Sequence, residues 1–162
     1  MTHPHSDESA WLHGHAHEPN PAPPTQVTAI TVNPPSAPPL TIDVADLHRL
    51  PTSEATGCYI VSTGHGTSGP FTFAGVRLGD LIDHVLGKEA NWRYADVVSA
   101  DGFGTRVHAH EAYAATGQPI LMAHTLDGAP LTRAQGLVRL IVPTETDDAL
   151  RQVKWVAKIR IQ

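Results

Sequence analysis

The stretch Phe71-Thr-Phe-Ala-Gly-Val-Arg-Leu-Gly-Asp-Leu-Ile-Asp-His-Val-Leu-Gly87 changes its hydrophobic period partway along. Phe71 and Phe73 alternate as they would in a strand. Val76, Leu78, Leu81, Ile82 and Val85 then fall at roughly helical spacing until Gly87 ends the run. A strand entering a short amphipathic helix is expected here. Upstream, Cys58 to Val61 is a run of β-formers leading into the polar, glycine-rich stretch Ser62-Thr-Gly-His-Gly-Thr-Ser-Gly-Pro70, read as a loop. Leu40 to Ile42 suggests a short strand, and Asp43 can cap a helical turn carrying Val44, Leu47 and Leu50, which Pro51 stops. Val27 to Val32 reads as the first strand, with Ile30 and Val32 on one face, closed by Asn33-Pro34-Pro35. Downstream, the strand candidates are Val97-Val98, Thr105 to His108, Ile120 to Ala123, Leu137 to Val142 and Val153 to Ile161. Turns at Asp101-Gly102, Asp127-Gly128 and Pro143 to Asp148 separate them.

Nine of the 14 prolines and five of the 11 histidines precede Leu40, so residues 1–25 are expected to be a disordered His/Pro-rich arm and residues 26–162 a single domain. The formal net charge of −5, with 11 Lys plus Arg scattered along the chain, provides no basic stripe for nucleic acid. A small molecule is the expected partner. No run approaches the roughly 20 apolar residues that span a bilayer, so no membrane association and a cytoplasmic protein are expected, with a homo-oligomer left open. Cys58 is the one cysteine, which excludes an intrachain disulfide or a CxxC site.

Four segments occur in a telling order. They are Phe73 to Ile82; Ser99-Ala-Asp-Gly-Phe103; Ile120-Leu-Met-Ala123 with Leu126-Asp-Gly-Ala-Pro-Leu131; and Gly136-Leu-Val-Arg-Leu-Ile-Val-Pro143 followed by Val153-Lys-Trp-Val156. Together they resemble the oxidoreductase molybdopterin-binding domain of the sulfite oxidase fold, over roughly Val27 to Gln162. The resemblance implies an α+β fold of mixed β-sheets with short peripheral helices, a molybdopterin cofactor and redox chemistry on a small molecule. It implies a pocket lined by Ser62, Thr63 and the rest of that loop to Pro70, by Asp101 to Arg106, and by Arg139. Arg139 and Lys154 stand at the family's Arg and Lys-Trp motifs, and Arg106 could add a contact to an anionic ligand. The alternative for Arg139 and Lys154 is solvent exposure or pairing with Asp147 and Asp148. The family's metal-ligating cysteine would fall near Val61 to Thr63, whereas Cys58 lies earlier, within the strand, where core packing is the expected role. The turn Thr144-Glu-Thr-Asp-Asp148 carries three carboxylates where relatives anchor phosphate, and these would repel an anion.

Histidines offer a second chemistry. His108 and His110 are two apart in or just past a strand, so they share a face. With His65 or His124 as a third ligand they could hold a divalent metal, and otherwise they are a half-exposed pair. His65, between Gly64 and Gly66, is the candidate acid-base or ligand contact, unless Gly-His-Gly is only a hairpin turn. His13, His15 and His17 in the arm could capture metal weakly. Two functions follow, a molybdopterin-dependent oxidoreductase or a cofactor-free relative with a histidine-lined metal or ligand pocket; a noncatalytic interaction module is the fallback.

Overall fold

The computed structural model describes residues 28–62, 66–114, 117–143 and 151–162. The chain runs through β1 (Ala29–Asn33), β2 (Leu40–Asp43), α1 (Val44–Leu47), β3 (Ser53–Ser62), β4 (Gly66–Arg77), α2 (Leu78–Leu86), β5 (Tyr94–Ser99) and β6 (Gly104–His108). It continues through α3 (Ala109–Ala112), β7 (Leu121–Leu126), β8 (Ala129–Pro130), β9 (Arg139–Ile141) and β10 (Val156–Ile161). No described helix is long and apolar enough to cross a membrane.

Two sheets carry the molecule. In the first, the order is β2-β1-β10-β5-β6, with β1 and β10 parallel and the other neighbours antiparallel. Thr31 lies opposite Lys158, so the two ends of the domain are neighbours at the sheet's centre. The second has β3-β4-β7 in order, with β8 and β9 pairing along the far edge of β7. Ile30 and Val32 do share a buried face, and with Val97, Ile159 and Ile161 they pack against Leu81, Ile82, Met122 and Leu140 in the larger core. The mixed sheets and short helices are the α+β architecture expected from the sequence.

Strand β7 shows how one element serves two interiors. Met122 faces the larger core, while Leu121 and Ala123 join Ala55, Cys58, Phe73, Leu131 and Ile141 in a smaller cluster on the opposite face. The junction quoted first behaves as its period change predicts: α2 begins at Leu78, whose amide donates to the Ile120 carbonyl at 2.9 Å, and buries Leu78, Leu81 and Ile82. Val76 completes β4 instead of opening the helix. At Gly75, where the β4–β7 register shifts, a Cβ would fall on the Met122 carbonyl oxygen and 2.5 Å from Ala123 Cα. Only glycine fits there.

Two local expectations are corrected. Asp43 sits at the α1 N-cap with φ −74° and ψ 151°, but its side chain makes no cap hydrogen bond. The stretch read as a loop from Ser62 to Pro70 is mostly hairpin. Ile60 pairs with Ser68, Val61 with Thr67 and Ser62 with Gly66, and residues 63–65 lie outside the described set. Backbone ladder bonds do not require β-branched side chains, so composition alone concealed the strand.

Candidate functional site

Strand β9 places Arg139 opposite Ala123 and Ile141 opposite Leu121, and Leu140 bridges to Val153. Side chains alternate along extended chain, so Arg139 shares a face with Gln152 and Lys154 of the adjoining segment. Arg139 is 7% exposed. Its Nη1 donates to the Gln135 carbonyl at 3.1 Å, its Nε has no partner, and burial pulls the guanidinium down to about 10. Gln152 is also buried; its Nε2 donates to the Tyr59 carbonyl at 3.0 Å and its Oε1 is unpartnered. The Lys154 Nζ lies 4.4 Å from the Trp155 ring centroid. Burial, then the neighbouring Arg139, lower its pKa, while Asp101 opposes them. Among the described residues, no carboxylate forms an ion pair with Arg139 or Lys154.

The backbone around these cations is held in uncommon conformations. Leu137 has φ 57° and Trp155 φ 54°, two of the three non-glycine residues with positive φ among those described. Each costs of order 1 kcal/mol or more, and such residues cluster at binding sites. Gly136, with φ 112°, lies so close that a Cβ would stand 2.7 Å from Lys154 Cγ and 3.3 Å from Arg139 Cγ. Trp155 is tied down by its Nε1 donating to the Arg133 carbonyl at 2.6 Å and by its carbonyl accepting from the Ala100 amide at 2.8 Å. Leu137, Val138, Trp155 and Ala100 also line a small, mostly apolar cavity against Ile30 and Val44.

The other expected site residues are dispersed. Asp101 accepts from Ser99 Oγ at 2.6 Å and from the Phe103 amide at 3.3 Å, so its carboxylate shapes the turn while its charge reaches Lys154. Arg106 does not join the cationic face. Its Nε and Nη2 donate to both Asp96 oxygens, at 2.7 and 3.0 Å, and its guanidinium stacks 3.9 Å from the Tyr94 ring centroid. Ser62 is placed only through its backbone, at the end of β3; Thr63 and His65 lie outside the described residues, as does the acidic turn 144–148. Cys58 is 5% exposed within the smaller cluster, and its Sγ donates to the Thr56 carbonyl at 3.7 Å. Burial raises its pKa, as for a packed thiol.

The three histidines do not converge. His108 and His110 stack on the surface beside the first sheet, with ring centroids 5.8 Å apart, and His108 also caps α3. His124 sits on β7 of the second sheet, 4% exposed, with His48 as its ring neighbour at 3.9 Å. Among the described residues, no three His, Cys, Asp or Glu side chains are grouped to hold a metal. Burial, then the nearby His48, lower His124 to about 4, so it is a neutral imidazole.

Sequence reasoning missed Gln152 and His48, and held Trp155 only as part of the Lys-Trp motif. Gln152 is two residues from Lys154, so the strand period could have placed it on the same face. His48 carries no such signal, because only the tertiary fold brings α1 over β7.

No curated protein sequence matches this chain. Among solved structures, the sulfane dehydrogenase SoxCD from Paracoccus pantotrophus is similar, with a TM-score of 0.64 and 17% identity over 82% of this chain and 37% of that one. At that identity the likeness is one of fold, and this chain spans little more than a third of that protein's length. The sequence profile described as the oxidoreductase molybdopterin binding domain matches residues 17–162 and covers both sheets. A match over so much of the sequence, on a chain whose own fold agrees with it, makes this protein a member of the oxidoreductase molybdopterin-binding domain family.

Proposed function

We propose that this chain is a molybdopterin-dependent oxidoreductase-like domain acting on a small molecule. In this reading Arg139, Lys154 and Gln152 hold the anionic end of the pterin ligand. The observation that carries it is the Arg139 guanidinium, 7% exposed, with an unpartnered Nε and no ion pair among the described residues. An isolated buried cation costs several kcal/mol, and a phosphate offers both the opposite charge and oxygen acceptors for the planar guanidinium fork. Lys154 adds a second positive charge, and Gln152 Oε1 an acceptor for a ring N–H. Strain at Leu137 and Trp155 suits a rigid cradle.

When bound, molybdopterin supplies the metal for oxygen or electron transfer in this family. Cys58 does not fit the part of its thiolate ligand. Burial raises its pKa, and it packs among Ala55, Phe73 and Ile141. The anion-holding half of the site fits, the thiolate half does not, and no step through the metal is derived. The balance of charge favours a small-molecule partner over nucleic acid.

The test is expression alongside the molybdopterin pathway, with pterin measured by fluorescence after denaturation and molybdenum by elemental mass spectrometry. The expected result is about one pterin per chain, lowered tenfold or more by Arg139→Gln and unchanged by Cys58→Ser. Pterin-free wild-type protein, or full loading of Arg139→Gln, overturns the reading.

A further inference from the structure

A second polar site lies away from Arg139. On β7, alternation turns His124 away from the face that Ala123 shares with Arg139, so its ring points toward the opposite side of the sheet, where α1 ends. Nδ1 of His124 is 2.8 Å from Thr125 Oγ1, while Nε2 is buried with no partner. Buried ring nitrogens are normally satisfied, so an orphan at 4% exposure calls for a ligand. The neighbouring group is another imidazole. His48, exposed at the C-cap of α1, lies with its ring centroid 3.9 Å from that of His124, the planes tilted by 38°.

We propose that His48 and His124 form a two-imidazole site for a borderline transition-metal ion such as Zn²⁺, with the ion supplying the missing partner of His124 Nε2. The Thr125 hydroxyl plays the part that an outer hydrogen bond plays at metal-bound histidines, fixing the ring so that the second nitrogen presents its lone pair. Imidazole nitrogens bind zinc at about 2.0–2.1 Å, which sets two ring centroids on one ion roughly 5 Å apart in tetrahedral geometry. The rings must therefore open by about 1 Å. The exposed His48 can do so by turning about its side-chain bonds, whereas the buried His124 is held. Water completes the coordination, leaving exchangeable positions.

The test titrates Zn²⁺ into the full chain, reading stoichiometry by calorimetry and the melting temperature in parallel. His13, His15 and His17 contribute equally in every variant, so only differences are read. His48→Phe keeps a ring over His124 and removes the nitrogen. It is expected to melt within about 1 °C of wild type without metal, bind one fewer zinc, and lose a zinc-dependent rise of roughly 5 °C. His48→Cys, which retains a ligand, is expected to restore the rise. A wild-type protein with no zinc-dependent rise, or a His48→Phe variant that keeps both the rise and the stoichiometry, overturns the site.

Discussion

A buried arginine without a carboxylate is a stability liability that a ligand removes. Arg139 lies across from Ala123 on a face shared with Gln152 and Lys154, and apart from one hydrogen bond to the Gln135 carbonyl its desolvation is uncompensated among the described residues. Replacing a buried charge by an apolar side chain of similar length is often neutral or stabilising, by about 1–4 kcal/mol. Arg139→Met is therefore expected to raise the melting temperature of ligand-free protein by several degrees while abolishing pterin retention. Thermal unfolding of the two ligand-free proteins checks this. A lower melting temperature for the variant would mean that Arg139 holds the fold together, and would remove the argument for an anion. The residue type was legible in the sequence at this position because Gly136 to Pro143 carries the family pattern. Its burial was not, since a strand that alternates Arg, Leu, Ile reads equally well with Arg139 in solvent.

At the level of elements, the first-quoted segment was readable because two periods meet in it, and the structure turns from β4 to α2 within a residue or two of that point. The hairpin beside it was legible only as the alternative for Gly64-His65-Gly66, because Ser, Thr and Gly populate both loops and solvent-facing ladder positions. Nor could local pattern show that β10 returns to lie parallel to β1, since pairing between the two ends of a chain is a property of the whole topology. Gly75 links the two scales. Its place in Phe73-Ala-Gly-Val looks like an ordinary junction glycine, yet the Met122 and Ala123 backbone fills the space where a Cβ would be. Gly75→Ala has no flexible side chain to displace, only the neighbouring strand. A loss of about 1–3 kcal/mol is expected, of the size seen for overpacked interiors, measurable as a lowered urea midpoint. A midpoint within error of wild type would show that β4 and β7 can slide apart at the register shift without cost.

Across the whole molecule, the segment 151–156 fastens the two sheets together and carries the proposed ligand contacts. Arg151 donates to both Glu111 oxygens, at 2.8 and 2.9 Å, and to the Arg106 carbonyl at 3.0 Å, which ties it to the edge of the first sheet. One residue later Gln152 reaches Tyr59 in the second sheet, and Val153 pairs with Leu140. Burial pushes the Glu111 carboxyl up, but the hydrogen bonds from Arg151 and the His108 amide outweigh it and hold the group below the usual carboxylate range. A depressed folded pKa means that this stabilisation is complete above the ordinary glutamate range and is lost as pH falls through the folded value. The pair is partly screened, with side chains 23% and 26% exposed, so a coupling of about 1 kcal/mol is expected from a double-mutant cycle of Glu111→Gln and Arg151→Ala at neutral pH. The coupling should shrink toward zero as pH falls through that folded value, below the ordinary glutamate range, where Glu111 becomes neutral in both states. Because Gln152 and Lys154 follow directly, Glu111→Gln should also weaken pterin retention several-fold without touching the ligand. Additive single mutants, or a coupling that survives acidification, would mean that the clamp is a surface contact and that the contacts at 152 and 154 are positioned by the Leu140–Val153 pairing alone.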